Sequence, residues 1–198
     1  MNVRFSRLAI AFISSALAVT TAVHAQDAKP CPNALVPDHG KSMAGKPLAS
    51  PAATAEVTLG GKKVSITYNA PSVRCRTVMG GLVPYGKVWR FGANAATTLT
   101  TDSELKIGDL TVPAGTYTLY ALPAAAGTPW QLIVNKQTKQ WGTVYDEKQD
   151  FGRTPMMFTA LPKLQETMTL SFEHSKGKKA ELHMRWENTD VYVPVVAK

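Results

Sequence analysis

Most of the side chains that could bind a ligand lie in one stretch, SVRCRTVMGGLVPYGKVWRFGANAATT, over residues 72–98. An arginine guanidinium offers a planar fork of donors for a carboxylate or phosphate, and a tyrosine or tryptophan offers a face for stacking. The stretch combines these groups with an amide and four glycines. We therefore predict a pocket for a small anionic ligand or an envelope component, formed by Arg74, Arg76, Tyr85, Trp89, Arg90 and Asn94.

Other interpretations of this stretch stay open. The arginines can instead donate to backbone carbonyl groups and hold a glycine-rich loop against a sheet. The same loop can serve a hydrolase-type enzyme, but it contains no histidine or carboxylate that could act as a base. A non-catalytic binding protein is therefore favoured, with the enzyme and a purely structural envelope-interaction protein as alternatives.

The chain has two cysteines, Cys31 and Cys75. In an oxidising compartment an even pair favours a disulfide, which would tie the residues before the domain to the arginine-rich loop. The alternative is a reactive Cys75, because Arg74 and Arg76 flank it and positive charge stabilises a thiolate.

The remaining histidines and acids predict neither a metal site nor a cofactor. His174 and His183 flank the turn of a predicted hairpin, residues 167–187. His174 follows the alternation of the apolar, core-facing residues of its strand, whereas His183 falls on the opposite face. Successive side chains of a strand point to opposite faces, so the two rings are expected to diverge. His39 lies outside any predicted strand. The acidic stretch YDEKQD, residues 145–150, lacks the glycine and spacing of an EF-hand loop and predicts a solvated turn.

The first 25 residues predict a secreted or periplasmic protein. Two arginines precede the apolar run LAIAFISSALAVTTAV, and Val23 and Ala25 supply the small residues of a cleavage site. Cleavage would remove two of the 22 basic residues and none of the 14 acidic ones, which leaves a net charge of +6. We expect no membrane span after cleavage. We also expect no nucleic-acid partner, because the basic residues are scattered and no nucleic-acid motif is present.

Beyond the signal peptide the sequence predicts one domain. Residues 26–50 contain four prolines and no apolar period, as in a flexible arm. Residues 51–198 alternate apolar and polar positions between frequent turns, which predicts an all-β, antiparallel β-sandwich of about nine or ten short strands. Its last hairpin is predicted to face the core with Leu170, Phe172, Leu182, Met184 and Trp186.

Several long phrases carry a family resemblance. The stretch quoted above, with LTVPAGTYTLYALP, WQLIVNKQTKQWGT and YDEKQDFGRTPM in this order, resembles domain-of-unknown-function family 2911 from about residue 49 onward. The resemblance implies a secreted, β-rich protein and no established activity. The family pattern has glycine, threonine and glutamate where this chain has Cys75, Phe91 and Ala95. A role for that glutamate in the family would therefore be lost here.

Overall fold

Ten strands and one short 3₁₀ turn make up the regular structure in the part of the chain that can be described. The computed structural model describes residues 49–125 and 128–198. The predicted signal peptide and nearly all of the predicted arm lie outside these residues, so both stay predictions. The strands are β1 (Ala52–Leu59), β2 (Lys62–Asn69), β3 (Thr97–Thr101), β4 (Leu105–Ile107), β5 (Leu110–Val112), β6 (Gly115–Leu122), β7 (Gln131–Asn135), β8 (Asp150–Pro155), β9 (Met157–Lys176) and β10 (Lys179–Ala197).

The strands form two antiparallel sheets, which confirms the predicted sandwich. One sheet has six strands in the order β1-β2-β3-β6-β7-β8, and the other has four in the order β5-β4-β10-β9. Buried apolar side chains from both sheets form one core cluster. The alternation in the sequence explains this packing: in β2, Val64, Ile66 and Tyr68 are buried while Ser65 and Thr67 are not.

The hairpin of β9 and β10 faces the core largely as predicted. Leu170, Leu182, Met184 and Trp186 are buried in the cluster. Phe172 pairs with Leu182 across the two strands, but it is only half-buried and packs against the edge of the core. The predicted register is therefore right for the middle of the hairpin.

Strand β10 is sharply bent at Glu187. Its pairing with β9 shifts register on both sides of this residue, and Glu187 has a φ of 55°, in the left-handed region. Seven residues of straight strand would span about 23 Å. Here the side chains of His183 and Asp190, seven positions apart, are in hydrogen-bond contact at 2.8 Å. The bend therefore brings side chains from the two halves of β10 together.

Within residues 49–125 and 128–198, no helix is long and apolar enough to cross a bilayer.

Candidate functional site

The arginine-rich stretch forms the connection between β2 and β3 and is attached to both sheets. Ser72 forms a bridge with Thr167 of β9, and Trp89 forms one with Ala121 of β6. Between these bridges, the buried side chains of Val78 and Val83 join the core. The connection is therefore a packed part of the sandwich.

Each of the three arginines donates to a backbone carbonyl. Arg74 donates from Nη2 to Ala49 O. Arg76 donates from Nη2 to Ser72 O at 2.8 Å and from Nε to Val73 O at 3.2 Å. Arg90 donates from Nε to Gly92 O at 3.2 Å. These bonds fit a loop whose backbone leaves the common conformations, since Arg74, Cys75, Phe91 and Asn94 all have a positive φ.

The six predicted site residues occupy different surroundings. Arg74 and Asn94 both reach the segment Ala49–Ser50, with Asn94 Nδ2 at 3.5 Å from Ser50 O. Trp89 is buried and stacks on Trp186 with ring centroids 6.0 Å apart. Tyr85 is exposed at the edge of a cavity. Anion binding by these residues as one pocket stays a prediction.

Arg76→Ala should lower the free energy of unfolding by about 1 to 3 kcal/mol, because the carbonyl of Ser72 loses its side-chain donor and that of Val73 keeps only the backbone N–H of residue 76. Urea denaturation measures this change. Lys87→Ala, which removes an exposed cation from the same connection, is the matched control and should change stability by less than about 0.5 kcal/mol. Equal effects of the two changes would mean that Arg76 does not brace the loop.

The predicted disulfide involves a residue that cannot be placed. Cys31 lies outside the described residues, and Cys75 is in the arginine-rich connection with a φ of 58°. The pairing of the two cysteines therefore stays a prediction.

A cavity of about 640 Å³ lies beside this connection. Four separate segments contribute to its wall: the connection between β2 and β3, the loop after β6, the junction of β8 and β9, and the second half of β10. The large apolar and aromatic side chains that line it are Met79, Tyr85, Trp130, Met156, Met157, Phe158 and Tyr192. Trp130 is held in place by a hydrogen bond of 3.0 Å from Nε1 to Ala124 O.

The polar side chains that line the cavity are all hydroxyl-bearing. They belong to Tyr85, Thr128, Thr189 and Tyr192, and no charged side chain lines it within the described ranges. Tyr85, Met157 and Phe158 also expose a large part of their apolar surface to solvent. Cavities of this size and lining are typical of sites for small, largely apolar molecules.

The two histidines of the β9–β10 hairpin converge, so the expectation that their rings diverge is wrong. His174 Nδ1 lies 2.7 Å and His183 Nε2 lies 3.3 Å from the same oxygen, Oε2 of Glu181. The cause is local: His174 has a φ of 50°, and the pairing shifts register between Lys179 and Glu181. Strict alternation therefore fails at this end of the hairpin. The prediction of no metal site rested on that alternation and loses its basis.

A network of charged groups extends from the histidines along the outer face of the hairpin. Asp190 accepts from His183 Nδ1 and from Arg185 Nε, both at 2.8 Å. Arg185 also donates to both carboxylate oxygens of Glu173, at 2.6 and 2.8 Å. The Asp190 carboxylate is buried and therefore depends on these partners.

The pKa values of two carboxylates reflect this network. Burial alone would raise the pKa of Glu173, but hydrogen bonds from Arg185 and Ser171 outweigh it and hold the pKa below its ordinary value. The hydrogen bond from His174 is the largest cause that lowers the pKa of Glu181. A lowered pKa means that each carboxylate stabilises the fold above its unfolded pKa, and that this contribution is lost as the pH falls through the folded pKa.

The acidic stretch at residues 145–150 forms a braced turn. Asp150 accepts hydrogen bonds from Asn135, Tyr145 and Arg153, and a 3₁₀ turn spans Glu147–Gln149. Burial, followed by the hydrogen bond to Asp150 and its charge, raises the pKa of Tyr145 to about 12. The Asp150 carboxylate therefore has a structural role.

Comparison with known proteins gives one match. The family model described as Protein of unknown function (DUF2911) matches residues 50–195. The chain belongs to this family. No curated protein and no solved structure shows a significant match to the chain.

Two of the positions that the family resemblance singles out lie at different depths. Phe91 is fully buried and contacts Trp89 edge to face, with ring centroids 5.8 Å apart. Ala95 is exposed and forms a bridge with Trp141. A longer polar side chain at position 95 would therefore reach solvent near Trp141, and neither of these residues lines the cavity.

Sequence reasoning missed the cavity and the histidine cluster. The run MMF at residues 156–158 is a sequence feature that could have indicated the cavity. In an extended chain, three consecutive apolar side chains cannot all face the same core, so at least one of them must pack elsewhere or be exposed. Met156 is buried, whereas Met157 and Phe158 are exposed beside the cavity.

Proposed function

We propose that this protein is a secreted binding protein whose cavity takes a small, neutral and largely apolar molecule. The observation that carries the proposal is the cavity of about 640 Å³, with its aromatic and methionine lining. Pockets of about 300 to 1,000 Å³ with such a lining bury most of the surface of a small ligand. The cavity includes Met79 and Tyr85, so the arginine-rich connection contributes to the binding site.

The lining favours a neutral ligand over an anionic one. An anion that enters a site from water loses the hydrogen bonds of its hydration shell. Unless donors or a positive charge in the site replace them, binding costs free energy. The described polar groups in the wall are hydroxyls, whereas the arginine bonds described above go to backbone carbonyls outside the cavity. These hydroxyl groups can form hydrogen bonds with a hydroxyl or carbonyl group of a neutral ligand.

The same lining favours binding over hydrolysis. The described residues of the wall include no histidine, cysteine, carboxylate or lysine that could act as a base or an activated nucleophile. Methionines at three positions give the wall side chains that adapt to ligands of different shape.

Secretion is the second part of the proposal and is supported by the signal-like sequence of residues 1–25. The mature chain should begin at Gln26. Its intact mass after recovery from the cell envelope checks this directly, and a mass that retains the first 25 residues would contradict it.

A matched pair of fluorescent probes tests the binding site. Phenylnaphthylamine is neutral, and its sulfonated analogue has the same rings and one negative charge. The mature protein should bind the neutral probe, with an affinity at least about tenfold higher than that for the sulfonate, because the sulfonate would lose hydration without gaining a partner. Fluorescence titration measures both affinities.

Two variants and one control locate that binding. Tyr85→Ala and Phe158→Ala should each weaken binding of the neutral probe by roughly tenfold, since each removes an aromatic ring from the wall. The control is Trp141→Ala, because Trp141 is 52 % exposed and is not part of the wall. Tighter binding of the sulfonate, with loss of that binding in Arg90→Ala, would contradict the proposal and favour the predicted anion pocket.

A further inference from the structure

The end of the β9–β10 hairpin places two imidazole nitrogens and a carboxylate oxygen close enough to share one ion. We propose that His174, Glu181 and His183 form a binding site for a divalent transition metal of the Zn²⁺ class. Their ligand atoms all lie within 4.8 Å of one another. Ligands of a tetrahedral zinc ion are about 3.3 to 3.6 Å apart, given bonds of about 2.0 to 2.2 Å.

The local backbone explains how the three side chains meet. Glu181 and His183 are two positions apart on β10 and therefore share a face of the sheet. His174 belongs to the other strand, where its left-handed φ of 50° turns the side chain toward the same face. The two imidazole rings have centroids 6.1 Å apart, and both reach Glu181.

His183 is held in the orientation that a metal ligand needs. Its Nδ1 lies 2.8 Å from Oδ1 of the buried Asp190, and its ring stacks on Tyr192 with centroids 4.7 Å apart. A carboxylate that accepts from Nδ1 fixes the proton there and leaves the lone pair on Nε2, the nitrogen that faces Glu181. This arrangement of carboxylate and imidazole is common behind zinc-ligating histidines.

The charge around the site favours a cation. Glu173, Glu181 and Asp190 carry three negative charges against the single positive charge of Arg185, which leaves two negative charges when both imidazoles are neutral. Three lysines lie at the turn between β9 and β10, namely Lys176, Lys178 and Lys179, and all are exposed, so solvent screens their charges.

The chemistry of the donor set points to zinc-like ions over calcium or magnesium. Imidazole nitrogens suit Zn²⁺, Cu²⁺ and Ni²⁺, whereas the hard cations prefer six or more oxygen ligands. Three protein ligands leave one position of a tetrahedral ion for water. The side chain of His174 is 73 % exposed, so solvent reaches the site.

The contacts also allow a simpler arrangement, in which protonated histidines only form ion pairs with Glu181. Zinc titration of the mature protein, produced without a histidine tag, separates the two. We expect one Zn²⁺ per chain with a dissociation constant in the micromolar range or tighter, measured by calorimetry. Co²⁺ should occupy the same site and give the visible absorption of a tetrahedral ion.

The two ligands that are not buried, His174 and Glu181, provide variants that should still fold. His174→Ala and Glu181→Gln should each weaken zinc binding at least about tenfold, since loss of a direct ligand costs no less than loss of a supporting group. Glu56→Gln, at an exposed ion pair on β1, is the matched control and should bind zinc like the wild type. Absence of zinc binding in the wild-type protein, or unchanged binding in both His174→Ala and Glu181→Gln, would overturn the proposal. Because none of the three ligands lines the cavity, failure here leaves the probe experiment on the cavity unaffected.

Discussion

Trp186→Ala should lower the free energy of unfolding by about 3 to 5 kcal/mol. The indole is only 1 % exposed and stacks on Trp89, and its Nε1 donates to Glu166 O at 3.3 Å. The substitution would leave a large cavity between β10 and the arginine-rich connection. Urea denaturation followed by circular dichroism measures the loss.

The control for this change is the exposed tryptophan Trp141. Trp141→Ala should alter stability by less than about 0.5 kcal/mol, because most of its side chain is already in water. A loss below about 1.5 kcal/mol in Trp186→Ala would show that the stacked pair does not anchor the connection, and the described packing of the loop would be wrong.

Asp190→Ala should destabilise the protein by about 3 kcal/mol. His183 and Arg185 would each lose a buried acceptor at 2.8 Å, and removal of one partner from a buried ion pair costs about 3 to 5 kcal/mol. The lower end applies because Arg185 keeps its two hydrogen bonds to Glu173. Chemical denaturation at neutral pH measures this effect.

Asp102→Ala is the matched control, because Asp102 is exposed in the bend after β3 and its loss should have little effect. Asp190→Asn should fall between the two variants, since the amide can accept one hydrogen bond but carries no charge. If Asp190→Ala is as stable as Asp102→Ala, the contacts of the Asp190 carboxylate with His183 and Arg185 do not stabilise the fold.

The fold was predictable because it rests on a short-range pattern. Alternation in β2 and in the middle of the last hairpin places Ile66, Leu170 and Met184 in the core, as the sequence indicates. Each of these assignments needs only the period of a strand and the positions of turns.

The candidate sites were not predictable because they depend on departures from that pattern. Simple alternation along the strand does not give the faces on which His174 and Asp190 lie, because bulges and a bend change the direction of their side chains. The cavity joins residues as distant in sequence as Met79 and Tyr192, which no local period relates. The role of Arg76 depends on where the carbonyl of Ser72 points, and this follows from the folded loop alone.

Methionine methyl groups provide the most direct test of ligand binding in the cavity. Met79, Met156 and Met157 line it, whereas Met168 and Met184 are buried in the core and are not part of its wall. NMR of protein labelled at the methionine methyl groups can follow all five during titration with phenylnaphthylamine. The proposal predicts shifts at Met79, Met156 and Met157 that saturate together, with Met168 and Met184 nearly unchanged. Saturable binding that leaves the three lining methionines unshifted would contradict it.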